Sequence, residues 1–144
     1  MSVTLSIAVP GDHIAISTNP ATEPFWQAAR ERRLTACQCG SCGAFRMPPT
    51  PFCPKCQSKQ LQWPTLPGTA TIYSYVVCTR SPYPDVADFV YVPIVVDLDG
   101  APGTRLVSNL VGVDPATVAI GQRVQVEWNP IQDGWLLPVF RLAD

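Results

Sequence analysis

A mainly β protein with a small α part is predicted by three features of this sequence. They are a four-cysteine pattern with two matched spacings, a strand-rich stretch after Gly68 broken by one helical turn, and a single short helix ahead of both. At 144 residues the chain is one compact unit or two very small ones. A piece of about 60 residues buries too little surface to be comfortable alone, so a metal or a partner is expected to supply part of its stability.

Residues 1–18 show no sustained period and read as an N-terminal tail, loosely ordered and free to dock on something. Residues 19–36 read as the helical segment. Asn19 or Thr22 can cap, Pro20 and Pro24 suit a first turn, and Phe25 to Leu34 is rich in helix formers. Phe25, Ala28 and Ala29 share one face, and Arg30, Arg32 and Arg33 lie near the C-terminal end, where cations complement the helix dipole.

Residues 37–66 hold five of the six cysteines among closely spaced prolines, a mixture that cannot keep regular structure unless something ties its loops together. The spacing Cys39-x2-Cys42-x10-Cys53-x2-Cys56 supplies the tie. Each C-x-x-C pair can close a knuckle whose backbone N–H groups point at thiolate sulfur, and two facing knuckles offer the tetrahedral sulfur set that zinc prefers. Iron also suits four thiolates and is the second candidate. Four protein ligands leave no open position, so the metal is read as structural. Cys37 could replace Cys39 at the cost of a wider first loop; Cys39 gives the symmetric pair. Gly43 follows the first knuckle and eases its turn, whereas the second has Gln57 there.

Residues 67–144 carry the strand pattern, entered through the turn-rich Trp63–Gly68 stretch, which reads as a hinge-like border between two lobes. Thr69–Thr79 places Ala70, Ile72, Val76 and Cys78 on one face, with Cys78 a buried thiol, and Tyr73, Tyr75 and Val77 on the other. Phe89–Leu98 is a second strand, bulged or at an edge around Pro93. Arg105–Val111 is a third, and Asp114-Pro115 starts one helical turn. Arg123–Trp128 alternates, with Val124, Val126 and Trp128 inward, and Trp135–Leu142 closes the set. Three strands, a helical turn and two strands is the order of a five-stranded OB-fold barrel.

Composition narrows the function. Charged residues make up only 15% of the chain against 47% hydrophobic, which suggests a covered apolar face. Residues 65–144 carry four basic against eight acidic side chains, the wrong balance for tracking phosphates, so no nucleic acid is expected. A single-stranded nucleic-acid-binding zinc-ribbon and OB module is the competing reading, since both parts occur in such proteins. No window approaches the roughly 20 apolar residues needed to cross a bilayer, so no membrane association is expected. MSVTLSIAVPGD does not read as a secretory signal, which points to the cytoplasm and to cysteines that are ligands or buried thiols. His13 is the only histidine and falls in the tail, leaving the folded part without a usual nucleophile–base pair. Asp85 and Asp88 are read as ordinary acids of a solvated loop.

The phrases Pro24-Phe25-Trp26 with Arg33-Leu34, CGSCGAFRMPPTPFCPKC from Cys39 to Cys56, GTATIYSYVV from Gly68, LVSNLVG from Leu106, IGQRVQVEW from Ile120 and LPVFR from Leu137 together cover residues 19–144. In this order they resemble the OB-fold acyl-CoA-associated family with a rubredoxin-like zinc ribbon, first catalogued as domain of unknown function thirty-five. The resemblance implies a non-catalytic accessory subunit of a thiolase-like acyl-CoA enzyme: a thiolase, an acyltransferase, or a lipid-transfer-protein-like aldolase of steroid side-chain degradation. It implies zinc as cofactor, a CoA thioester as ligand of the complex, and a hetero-oligomer built on the partner's dimer. Relatives often carry a polar residue, frequently histidine, where this chain has Cys78. Contacts to partner or acyl-CoA are expected at Tyr73, Tyr75, Arg80 and Tyr83, the last two in a loop from Thr79 to Asp88. Arginine pairs well with phosphate, and tyrosines often anchor interfaces.

Overall fold

The computed structural model describes residues 3–143, and within them the helix and the barrel share one core. Helix α1 spans Glu23–Arg30, introduced by the Asn19 side chain, which accepts hydrogen bonds from the N–H groups of Ala21 and Thr22. It ends short of the expected Leu34. Arg32 turns left-handed (φ 58°), Arg32 N–H donates to Ala29 and Arg33 N–H to Ala28, a Schellman closure made without glycine. That early stop turns Leu34 into the core, where its carbonyl accepts from Leu66 N–H.

The ribbon is built on three very short strands, β1 (Cys37–Cys39), β2 (Phe45–Arg46) and β3 (Leu61–Gln62), in the order β2-β1-β3. The Trp63–Gly68 stretch is packed rather than hinge-like. Leu66 is buried with Leu34 and Ala36 in the same cluster as the barrel interior, and Thr35 bridges Thr65.

Five strands follow: β4 (Thr69–Tyr75), β5 (Val92–Leu98), β6 (Arg105–Leu110), β7 (Arg123–Pro130) and β8 (Leu136–Leu142). They close in the order β4-β5-β6-β8-β7, antiparallel except for the parallel β6–β8 contact at Leu110 and Phe140. The expected mostly β fold, one helix, ribbon and five-stranded barrel are therefore all present. The helical turn falls at Pro115–Thr117, capped by Asp114 accepting from Ala116 N–H. Phe140, Ile72, Ile94, Leu110, Val92, Val96 and Val124 fill the interior. Each such side chain contributes about 1.5–3 kcal/mol on burial.

The first strand departs from plain alternation. Ile72 faces Val96, but Ser74 faces Val95, so Tyr73 is an extra, bulged residue on β4 and not on β5 near Pro93. The bulge exchanges the two faces beyond it. Val76, expected inside, stands 53% exposed, and Tyr75 now lies opposite core-facing Ile94 rather than on the outer face. Cys78, expected buried, is half-buried and bridges Tyr91. The N-terminal segment docks on this chain's own barrel: Ser6 N–H donates to Val113, Ser6 carbonyl accepts from Gly112, and Ile7 N–H donates to Val90.

Candidate metal centre and docking face

The two knuckles repeat one another. Ser41 and Cys42 N–H groups each reach Cys39 Sγ at 3.4 Å, and Lys55 N–H reaches Cys53 Sγ at 3.4 Å. Gly43 N–H closes on Cys39 carbonyl at 3.0 Å and Gln57 N–H on Cys53 carbonyl at 2.8 Å. Both closing residues are left-handed, with φ 80° at Gly43 and 66° at Gln57. Only glycine takes that backbone freely, so the second knuckle carries strain that the first avoids.

The four sulfurs of Cys39, Cys42, Cys53 and Cys56 all lie within 4.8 Å of one another, with Cys39–Cys56 at 3.5 Å and Cys42–Cys53 at 3.6 Å. A regular tetrahedron with metal–sulfur bonds of about 2.3 Å has sulfur–sulfur edges of about 3.8 Å, so the cluster has the dimensions of a tetrathiolate metal site. The Cys42 N–H aimed at Cys39, against the opposing effect of burial, draws that thiol down to about 6. The Cys56 N–H likewise lowers Cys53. Cys56 is pushed up to about 11: the Ser58 N–H lowers it, but the neighbouring thiols, Cys39 foremost, outweigh that. Four negative sulfurs therefore collect only around a cation. Cys37 lies outside this set, fully buried on β1, its thiol raised chiefly by that burial. Arg46 braces the proline-rich loop, donating from Nε and Nη2 to Thr50 carbonyl at 3.1 and 2.9 Å.

A second feature is apolar. Val107 of β6 is 74% exposed and paired with Val95, and Val76 lies beside them around one shallow depression. Tyr73 covers Arg105, whose guanidinium carbon is 3.7 Å from the ring centroid and whose Nε donates to Asp97 at 2.9 Å. Val107 also borders a cavity of about 310 Å³ lined by Phe25, Trp26, Met47 and Leu106. Sequence reasoning missed Val107 and this seam. The residue order Leu106-Val107-Ser108 carries no mark that Val107 faces outward.

Of the expected contact residues, Tyr73, Tyr75 and Arg80 are exposed and Tyr83 is half-buried. Tyr83 stacks on His13 with ring centroids 4.3 Å apart, and His13 Nε2 lies 3.0 Å from Asp85. His13 is thus held against the Thr79–Asp88 loop rather than lying loose in a tail. Among the described residues, three of the barrel segment's four arginines are held by carboxylates, Arg105 by Asp97, Arg123 by Asp99 and Arg141 by Glu127, which leaves Arg80 alone and too few cations for a phosphate-tracking groove. No helix among the described residues is long and apolar enough to cross a membrane.

Family comparisons follow the same division of the chain. Residues 26–62 match the model described as ChsH2, rubredoxin-like zinc ribbon domain, and residues 63–129 match ChsH2, C-terminal OB-fold domain. A "Probable enoyl-CoA hydratase alpha subunit" of Thermomonospora curvata is 42% identical over 122 residues, covering 83% of this chain but only 37% of that protein. A "DUF35 domain-containing scaffold protein" of Methanothermobacter thermautotrophicus is 30% identical over 112 residues, covering 75% of this chain and 81% of its own length. Among solved structures, a chain of the "Ltp2-ChsH2(DUF35) aldolase" superposes with a TM-score of 0.81 at 37% identity, over 90% of this chain and all of that one. A Sulfolobus solfataricus protein of the DUF35 family shares the fold at 15% identity, with a TM-score of 0.60 over 88% of this chain and 87% of its own. Ribbon, barrel, and a relative matched over most of both lengths lead to one conclusion: this chain belongs to the ChsH2 (DUF35) family.

Proposed function

We propose that this chain is a non-catalytic accessory subunit that binds and supports a thiolase-fold acyl-CoA enzyme in the cytoplasm, with a carbon–carbon bond-cleaving aldolase as the best-supported partner. The observation that carries the reading is the apolar patch of Val76, Val95 and Val107, bordered by Tyr73 and the Arg105–Asp97 pair, on a chain that superposes on a component of a two-part aldolase. Large side chains exposed together, in a protein with few charges, gain most from burial against another protein. The chain's single histidine is engaged by Asp85 and Tyr83, and among the described residues its hydrogen bonds lead to no serine, threonine or cysteine.

Zinc held by Cys39, Cys42, Cys53 and Cys56 fits the sulfur geometry and the ribbon family, and it would supply structure rather than chemistry, since no coordination position stays open. Tyr73 and Tyr75 are assigned to partner contact, and Arg80 and Tyr83 to the loop that reaches towards partner or CoA phosphate. Binding of CoA thioester belongs to the assembled complex. Two measurements test this reading. Co-expression with a thiolase-fold subunit encoded beside the chain gives a stable hetero-oligomer, and Val107→Glu weakens that assembly at least tenfold while leaving the melting temperature of the free chain unchanged. Failure to co-elute with any neighbouring thiolase-type protein overturns it. Elemental analysis giving one zinc per chain supports the ligand set; iron or no metal rejects the zinc assignment.

A further inference from the structure

The barrel leaves a strand edge open at the end of β4, and its chemistry is specific. On one side of β4, pairing with the β7 region stops at Ile72, whose N–H donates to Gln122 and whose carbonyl accepts from Gly121. On the other side the chain continues to follow β5: Val76 N–H donates to Pro93 at 3.1 Å, and Cys78 exchanges bonds with Tyr91 at 2.7 and 2.8 Å. Alternation then turns the peptide groups of Tyr75 and Val77 away from β5, and Val77 makes no backbone hydrogen bond among the described residues. Tyr73 to Val77 is therefore an edge with peptide groups directed outward.

Protein edges are normally guarded by charge, proline or a covering loop. This one has none of these within Tyr73–Val77: the side chains are Tyr73, Ser74, Tyr75, Val76 and Val77, exposed by 49% at Tyr73, 38% at Tyr75, 53% at Val76 and 37% at Val77. We infer that the partner subunit contributes an extended strand that hydrogen-bonds to the Tyr73–Val77 edge, adding a sixth strand beside β4 with apolar residues alternating over Val76 and Tyr75. This rests on the accessory-subunit reading above and adds the mode of attachment. A second copy of this chain is the weaker occupant. Self-pairing would cover a segment about 17 Å long, at roughly 3.3 Å per residue. That falls far short of the 20–30 residues per side of a stable interface. A larger partner can place its strand here and continue over the adjoining Val95–Val107 face.

The experiment is hydrogen exchange on the free chain and on its complex with the co-expressed thiolase-fold subunit. The Val77 amide, fast in the free chain, slows at least 100-fold on assembly. Val77→Pro, which removes the N–H donor and fixes φ at a value compatible with an edge strand, weakens assembly about tenfold, while melting of the free variant reports whether its fold is retained. Should that variant misfold, the exchange result on the unaltered chain decides alone. A stable complex in which Val77 still exchanges at the free rate overturns the strand addition and leaves the accessory role standing. Protection that arises without partner, together with a dimer in sedimentation, overturns it in favour of self-pairing. Absence of any complex removes both readings.

Discussion

The ribbon and the barrel are of comparable importance to the fold but are held together by opposite means. The barrel packs Ile72, Ile94, Leu110 and Phe140 into a closed interior with every strand paired on two sides for at least part of its length. The ribbon has three strands of two or three residues, and Cys37, Cys39 and Cys53 are the side chains most fully buried there. Hydrophobic burial can carry the first. In the second, knuckle turns and a proline-rich loop converge on sulfurs that repel one another once ionised, so a cation has to supply the cohesion. The difference teaches which region answers to metal and which to packing.

Breaking the ribbon should give the largest effect. Cys53→Ser removes one of four sulfurs and forfeits most of a metal-binding free energy on the order of 10 kcal/mol. Native-state hydrogen exchange is expected to show the Cys39–Gln62 amides losing protection while β5, β6 and β8 keep theirs; equal loss in both would show that the two regions are not separable. The barrel's counterpart is Phe140→Ala, at a fully buried position on β8. It should cost about 3–5 kcal/mol in urea unfolding without releasing metal under native conditions.

A smaller effect separates the regions by pH. Arg123, and after it Thr69, holds the Asp99 carboxyl down to about 2 from its ordinary 3.8. The pairing therefore stabilises the folded chain fully above pH 3.8, and the contribution fades as pH falls towards 2. Asp99→Asn should be less stable than the parent at neutral pH, and the two urea midpoints should converge in acid. A gap that stays constant would deny the ion pair its role. Smallest is Gln57→Gly, which relieves a left-handed non-glycine residue in the second knuckle. Copying Gly43 there relieves a left-handed cost of about 1–2 kcal/mol against a glycine entropy cost of about 0.5–1 kcal/mol, a small net stabilisation of the ribbon read as slower metal release to a chelator, with barrel unfolding unchanged.

Asn19, the paired C-x-x-C spacings, Asp114-Pro115 and the alternation from Arg123 to Trp128 were legible because each depends on neighbours a few residues away. Local chemistry sets caps, knuckles and strand period. The helix end at Arg32 was hidden because a left-handed cap without glycine leaves no mark in the residue string. Tyr73 was hidden differently: a bulge is defined by what lies opposite, and only the pairing of Ile72 with Val96 and Ser74 with Val95 reveals the extra residue. His13 lacked any local signal, since its partners Tyr83 and Asp85 come from a distant loop.

By itself, then, the sequence determined that four cysteines would gather around one centre and that five strands would close a barrel, because spacing and periodicity act over short stretches of chain. The tertiary structure alone decided which valines would face water, where β4 would run out of neighbours, and that the N-terminal segment would lie on the barrel at Ser6 and Ile7. Those outcomes turn on register and on contacts between residues far apart in the chain, and a one-residue shift in register moves a side chain from the core to the surface.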